Sequence, residues 1–160
     1  MADTKQTTRT GVMALAIVAL IWTGMVIGVS GLATPVKFQA ISLSLPVALE
    51  VGQVTFSAFN RVEWLLALLL LLSGALAGRP RIGLWLPIGL VAGIVLAQTV
   101  WLLPVLDARI AAVINGNPLP PSNDHIFYVI AEGVKLIMLL AIALSAVRAG
   151  MARRESFGTS

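Results

Sequence analysis

The chain has 160 residues, of which 58% are hydrophobic and only 11% are charged. Soluble domains usually carry about 25% charged residues, so this composition excludes an ordinary soluble domain and is typical of a membrane protein. The absence of cysteine excludes disulfides, thiol catalysis and thiolate-bound metals. The net charge of +4 does not indicate a nucleic-acid partner, because the basic residues cluster at the ends of apolar segments.

Four apolar segments approach or exceed the roughly 20 residues needed to cross a bilayer. They lie near residues 11–31, 60–78, 82–103 and 127–147. The sequence therefore predicts an all-α membrane protein, a four-helix antiparallel transmembrane bundle in which residues 1–160 form one domain.

Basic residues flank these segments on one side if the spans alternate. They are Lys5 and Arg9 before the first span, Arg79 and Arg81 between the second and third, and Arg148, Arg153 and Arg154 after the fourth. The positive-inside rule then places both tails, 1–10 and 148–160, in the cytoplasm. The first apolar run, from Val12 to Val29, is too long for a cleaved signal peptide.

Three connections join the predicted spans. The short link "GRPRIG" predicts that the second and third helices are antiparallel neighbours. Proline and serine should break the other two, "TPVKFQAISLSLP" and "PVLDARIAAVINGNPLPPSND", on the outer side. The second helix should begin soon after Pro46 and reach about 45 Å in length.

Glycine pairs four residues apart occur in three of the spans. They are Gly24 and Gly28, Gly74 and Gly78, and Gly89 and Gly93. Such pairs let helix backbones approach closely, so we expect them to pack helices within the bundle, with a homodimer as the alternative.

The two halves of the chain match at a spacing of 69 residues. Pro35 aligns with Pro104, and Glu63 aligns with Glu132. This spacing is consistent with two pseudo-repeated helical hairpins, although apolar sequences also match by chance.

Polar residues form a stripe on two of the helices. On the fourth helix, His125, Tyr128, Glu132 and Lys135 are spaced to share one face, and Gln53, Phe56, Asn60 and Glu63 repeat that spacing on the second. Gln98 lies at a similar height on the third. The predicted ligand site is therefore an outward-opening cluster of Asn60, Glu63, Gln98, His125, Tyr128, Glu132 and Lys135.

Charges within a bilayer must be neutralised or hydrated. An isolated charge at the centre costs about 2.5–3.5 kcal/mol or more, so we expect Lys135 to pair with Glu63 or Glu132. Glu63 and Arg61 could instead extend to the interface. The stripe could simply specify helix assembly, or it could line a pocket for a ligand, an ion or a proton, with proton coupling through Glu132 or Glu63.

The sequence predicts no catalytic residues. His125 and Glu132 could form an acid–base pair, but no nucleophile or phosphate loop accompanies them. No recognised metal-ligand spacing is present, and nothing indicates a particular cofactor.

Three stretches resemble small bacterial four-helix membrane proteins similar to the transmembrane protein 205-like family. They are "LEVGQVTFSAFNRVEWLL", "QTVWLLPVLDARI" and "SNDHIFYVIAEGVKL", and the resemblance extends from Ala33 to Leu144. It implies a four-helix architecture in a bacterial cytoplasmic membrane, without implying a reaction, a cofactor or catalytic residues.

The leading hypothesis is a non-enzymatic, multi-pass membrane protein that binds or passes a small polar or amphipathic ligand. The alternative is an accessory or scaffold subunit of a larger membrane complex, and the third hypothesis is an enzyme acting on lipid or quinone. The expected partners are the lipid bilayer, a small-molecule ligand, and a second copy or another membrane subunit.

Overall fold

A computed structural model of the protein describes residues 2–78 and 82–158, with side chains placed for 6–78 and 83–151. Arg79 and Arg81, which contribute to the predicted topology, lie outside the described residues. The side chains of Lys5, Arg153 and Arg154 also fall outside them.

Four long helices make up the described chain, and no strand occurs in it. Helix α1 comprises Ala2–Val26, Ile27–Ala33 and Thr34–Lys37, and α2 is Leu45–Leu76. Helix α3 comprises Ile82–Ala97, Gln98–Leu102 and Leu103–Ile114, and α4 is Asp124–Gly158. The predicted all-α four-helix bundle is therefore confirmed.

Each helix contains a segment that is long and apolar enough to cross a membrane. These segments are Gln6–Lys37, Leu45–Leu76, Gly83–Ile114 and Asp124–Met151. The protein is thus an integral, multi-pass membrane protein. Its exposed surface is rich in large apolar side chains, such as Leu20 at 50% and Leu86 at 65% exposure, as lipid contact requires.

Helices α1 and α3 run further than the sequence predicts, because Pro35 and Pro104 do not break them. Each proline follows a π-helical segment, Ile27–Ala33 in α1 and Gln98–Leu102 in α3. In a regular α-helix a proline ring clashes with the carbonyl four residues earlier. The wider π turns accommodate the two prolines without ending either helix.

The helices form a square in which α1 and α3 each pack against both α2 and α4. The start of α1 and the end of α4 lie on one side, here called the terminal face, and the connections 38–44 and 115–123 lie on the opposite loop face. Gly78 follows α2 with a φ of +85°, a conformation that favours glycine at the end of a helix.

Four of the six glycines predicted to pack helices within the bundle make no close contact with a neighbouring helix in the described structure. Apart from the adjacent residues and backbone of its own helix, nothing described lies within 4 Å of a Cβ built on Gly24, Gly28, Gly89 or Gly93. These glycines therefore face away from the neighbouring helices, since the apolar side chains on the other faces of α1 and α3 supply the packing.

Close approach occurs at other glycines. A Cβ on Gly74 would lie 3.2 Å from Ile88 Cδ1, so this glycine does pack α2 against α3. A Cβ on Gly11 would collide with the backbone of Leu76 and Ala77 at the end of α2. Gly11 has no glycine partner four residues away, so the spacing pattern did not indicate it.

The bundle interior is layered from the terminal face to the loop face. A large apolar core, with Leu15, Leu70, Val91 and Ile142 among its buried members, fills the terminal half. A smaller apolar group of Leu102, Leu103 and Tyr128 lies nearer the loop face. Polar side chains occupy the space between these two groups.

Candidate functional site: a buried polar cluster and an apolar cavity

All four helices contribute to a polar network, here called the buried cluster. Its members are Trp22 and Ser30 of α1, Glu63 of α2, Gln98 of α3, and Glu132 and Lys135 of α4. Lys135 lies at its centre and Glu132 precedes it by three residues, so both side chains extend from one face of α4.

Three acceptor oxygens surround the amine of Lys135. Nζ donates to Glu63 Oε1, lies 2.5 Å from Glu132 Oε1, and donates to Gln98 Oε1 at 2.8 Å. The side chain is 0% exposed. The structure thus brings Lys135 into contact with both carboxyl groups that the sequence offered as alternative partners.

Both oxygens of Glu132 accept hydrogen bonds. Gln98 Nε2 donates to Oε1 at 2.7 Å, and Ser30 Oγ donates to Oε2 at 2.8 Å. Ser30 and Gln98 lie in the π-helical segments of α1 and α3. The two irregular turns therefore supply the side chains that hold this carboxyl group.

Glu63 is bound through only one of its oxygens. Oε1 accepts from Lys135 and, at 3.0 Å, from Trp22 Nε1. Oε2 is buried and has no hydrogen-bond partner among the described residues. Because Glu63 is 1% exposed, the alternative in which it extends to the interface is wrong, whereas Arg61 is exposed.

Asn60 belongs to a neighbouring network rather than to the cluster around Lys135. Thr99 Oγ1 lies 3.0 Å from Asn60 Oδ1 and 2.7 Å from the carbonyl oxygen of Val95. Trp64 Nε1 donates to the same hydroxyl at 3.0 Å. Asn60 Nδ2 is buried without a partner in the described part of the chain.

The other two predicted site residues, His125 and Tyr128, line a cavity of about 270 Å³ near the loop face. Most of its wall is apolar and includes Phe38, Leu49, Leu106 and Ile110. Its polar lining residues are Thr34, Lys37, Gln53, Asp107, Arg109, His125 and Tyr128.

An aromatic contact separates this cavity from the buried cluster. The rings of Phe56 and Tyr128 meet edge to face, with centroids 5.3 Å apart and an interplanar angle of 71°. Leu102 and Leu103 pack in the same group, and no member of the buried cluster lines the cavity. The single predicted site is therefore divided into two.

Lys37 is one of three charged cavity residues, with Asp107 and Arg109, that sequence reasoning did not include in the site. Its Nζ occupies the space where a side chain at position 52 would begin, and it lies 5.0 Å from the Phe38 ring centroid. Among the described residues it makes no ion pair or hydrogen bond. The sequence feature that could have indicated it is its isolation, since Lys37 is the one cation in the stretch "TPVKFQAISLSLP".

Of the other two charged residues that line the cavity, Arg109 has partners, whereas Asp107 makes no ion pair among the described residues. Arg109 Nε donates to Asp124 Oδ2 at 2.7 Å, and its Nη1 donates to the Pro120 carbonyl at 2.7 Å. These contacts of Arg109 fix the proline-rich connection beside the cavity.

The structure places the two members of the possible acid–base pair in different sites. His125 lines the cavity, whereas Glu132 belongs to the buried cluster and accepts from Gln98 there. Within residues 2–78 and 82–158, no group of three or more potential ligands could hold a metal ion.

Comparison with family models, curated proteins and solved structures finds no match to this chain. The resemblance to the transmembrane protein 205-like family therefore stays a prediction. The class of protein is defined by the fold, as an integral membrane protein with four helical spans.

Proposed function

We propose that this protein is a non-enzymatic membrane protein that binds a small amphipathic anion in the loop-face cavity. The observation that carries the proposal is Lys37, whose amine lies in a largely apolar cavity without an ion-pair partner among the described residues. The ligand's anionic head would contact Lys37, and its apolar part would lie along the cavity wall.

The electrostatics of the cavity support an anion. A charge held near apolar surface is stabilised when a group of opposite charge accompanies it. Arg109 is paired with Asp124, and Asp107 makes no ion pair with Lys37, which leaves the Lys37 amine available to a ligand. Gly52 supports the same assignment, because its missing side chain provides the space that this amine occupies.

The size and position of the cavity limit the ligand. Its volume of about 270 Å³ lies just below the roughly 300–1,000 Å³ typical of small-molecule sites, which favours a small ligand. Tyr128 and Gln53 add hydrogen-bonding groups to the apolar wall. The cavity lies toward one end of the helices, where an amphipathic molecule could keep its head near water.

Octanoate is a suitable probe, and octyltrimethylammonium is its cationic counterpart. Isothermal titration calorimetry of the protein in lipid nanodiscs, corrected with empty nanodiscs, should detect octanoate binding and no binding of the cation. Lys37→Met should weaken octanoate binding by about tenfold or more, since about 1.4 kcal/mol of charge interaction is lost. Arg61→Met, which removes an exposed cation from α2, should have no effect.

A second variant tests the geometry and keeps the charge. Gly52→Ala would put a methyl group where Lys37 Nζ now lies, so the amine must move and octanoate affinity should fall. Gly24→Ala adds the same methyl group where it would contact no neighbouring helix in the described structure, and this variant should bind octanoate normally. Equal binding by the wild type, Lys37→Met and Gly52→Ala would refute the proposal.

An accessory or scaffold role is the second candidate. Gly24 and Gly28 on α1, and Gly89 and Gly93 on α3, leave small-residue surfaces that another helix could approach closely. Native mass spectrometry after extraction in mild detergent distinguishes the two roles. Co-purifying subunits or a homodimer would favour the scaffold, whereas a bound small molecule lost in Lys37→Met would favour the cavity.

A further inference from the structure

We propose that the buried cluster is a proton-binding site that holds one proton on Oε2 of Glu63. This inference is independent of ligand binding in the cavity. It rests on the number of acidic and basic groups in the cluster, their burial, and an inventory of hydrogen-bond donors and acceptors.

Lys135 carries a positive charge. An ammonium group has three N–H donors, and three acceptor oxygens from Glu63, Glu132 and Gln98 surround Nζ. A neutral amine would have only two donors and would direct its lone pair at the third oxygen. The orientation of the Gln98 amide is consistent with a positively charged Lys135, because the amide oxygen faces Lys135 and the amide nitrogen faces Glu132.

Glu132 is the ionised carboxylate. Its Oε1 accepts from Gln98 and lies 2.5 Å from Lys135 Nζ, while its Oε2 accepts from Ser30. Each oxygen therefore faces a donor. A proton on Oε1 would meet another hydrogen, and a proton on Oε2 would require the Ser30 hydroxyl to turn and accept. Carboxylates surrounded by donors in this way are stabilised in the charged form.

Glu63 receives the proton by the same reasoning. Its Oε1 already accepts from Lys135 and Trp22, whereas Oε2 faces no donor in the described structure. With both carboxyl groups ionised, the cluster would hold two negative charges against one positive charge. The three side chains are at most 8% exposed, so that excess charge would be costly.

One proton makes the cluster neutral. The reaction is the addition of H⁺ to the Glu63 carboxylate, which forms one O–H bond and breaks none within the protein. The groups that face the cluster from each helix do not supply a second cation. They are Trp22, Thr23 and Ser30 on α1, Asn60 on α2, Gln98 and Thr99 on α3, and Tyr128 on α4.

Infrared spectroscopy of the protein in lipid nanodiscs tests the proton count. The wild type should show the carbonyl stretch of one protonated carboxylic acid, shifted in deuterium oxide. Glu63→Gln should abolish this band. Glu132→Gln should abolish it too, because Glu63 can then ionise opposite Lys135. Glu50→Gln, the same change at an exposed position on α2, should leave the band unchanged.

Lys135→Met should increase the band, because both carboxyl groups then lack a cation and become protonated. If that variant does not fold, the two glutamine variants still test the proton count. A wild-type spectrum without the band would overturn the proposal, as would a band that persists at full intensity in Glu63→Gln and Glu132→Gln.

Two conservative variants locate the proton. Trp22→Phe removes a hydrogen bond from Glu63 Oε1, so the acid carbonyl band should move to higher frequency. Ser30→Ala removes a donor from Glu132 and should leave that band in place. The opposite pattern, with the shift in Ser30→Ala, would place the proton on Glu132 and overturn the assignment to Glu63.

Discussion

Lys135 shows how a single long side chain can organise the interior of a small bundle. Its amine contacts side chains from α2 and α3 and a glutamate of its own helix, and none of it is exposed. A buried charge pair adds little over apolar packing, but loss of one partner leaves the other uncompensated. The contribution of Lys135 therefore depends on the two glutamates.

Lys135→Met should lower the free energy of unfolding by about 3–5 kcal/mol. The loss arises because the two glutamates no longer face a cation in a buried site. Unfolding in mixed micelles with increasing sodium dodecyl sulfate measures it.

The triple variant Glu63→Gln, Glu132→Gln, Lys135→Met is the control for this prediction. It removes all three ionisable groups of the cluster, so it should recover most of the lost stability. If the single and triple variants were equally destabilised, packing of the lysine stem rather than charge would explain the loss.

At the scale of elements, the two π-helical segments are related features. Ile27–Ala33 precedes Pro35, Gln98–Leu102 immediately precedes Leu103 and Pro104, and the two prolines are 69 residues apart. Both segments present a side chain to Glu132. This recurrence agrees with the predicted pair of helical hairpins, and such irregular turns are frequent at functional sites.

Glycine substitutions should separate packing contacts from open surface. Gly11→Ala would force a methyl group into the backbone at the end of α2, and should destabilise the bundle by about 1–3 kcal/mol. Gly24→Ala should be neutral or stabilising by up to about 1 kcal/mol, since alanine is the better helix former. Unfolding free energies measured in one detergent would compare them, and a larger loss in Gly24→Ala would indicate a helix partner there.

At the scale of the whole molecule, helical spacing was enough to predict the bundle and much of the buried cluster. Glu63, Glu132, Lys135 and Gln98 meet because apolar surroundings leave charged and amide groups few partners other than one another. The contributions of Trp22 and Ser30 were not predicted. An indole in a membrane helix is ordinarily an apolar or interfacial residue, so the sequence does not distinguish one that binds a carboxylate.

The cavity was harder to predict because it depends on where helices end. The sequence placed Lys37 in a loop after residue 31, whereas the π segment carries α1 on to Lys37 and directs it toward Gly52. The sequence also did not predict the ring contact that separates the cavity from the buried cluster. Phe56 and Tyr128 were placed on the correct stripes, but spacing alone does not show that their rings meet.

The predicted topology can be tested in this cysteine-free chain. Single variants Gln6→Cys and Asn117→Cys introduce a thiol on the terminal and loop faces. In intact bacterial cells, a membrane-impermeant maleimide should label Asn117→Cys, and Gln6→Cys only after permeabilisation, as the positive-inside rule requires. Labelling of Gln6→Cys in intact cells would show that the orientation is opposite to the predicted one.

The contact between Phe56 and Tyr128 also places two unlike environments side by side within one small bundle. A solute in the cavity would touch these rings without touching Lys135, because no member of the buried cluster lines the cavity. The cavity and the buried cluster are therefore separate compartments, and a ligand that fills the first would displace no group of the second.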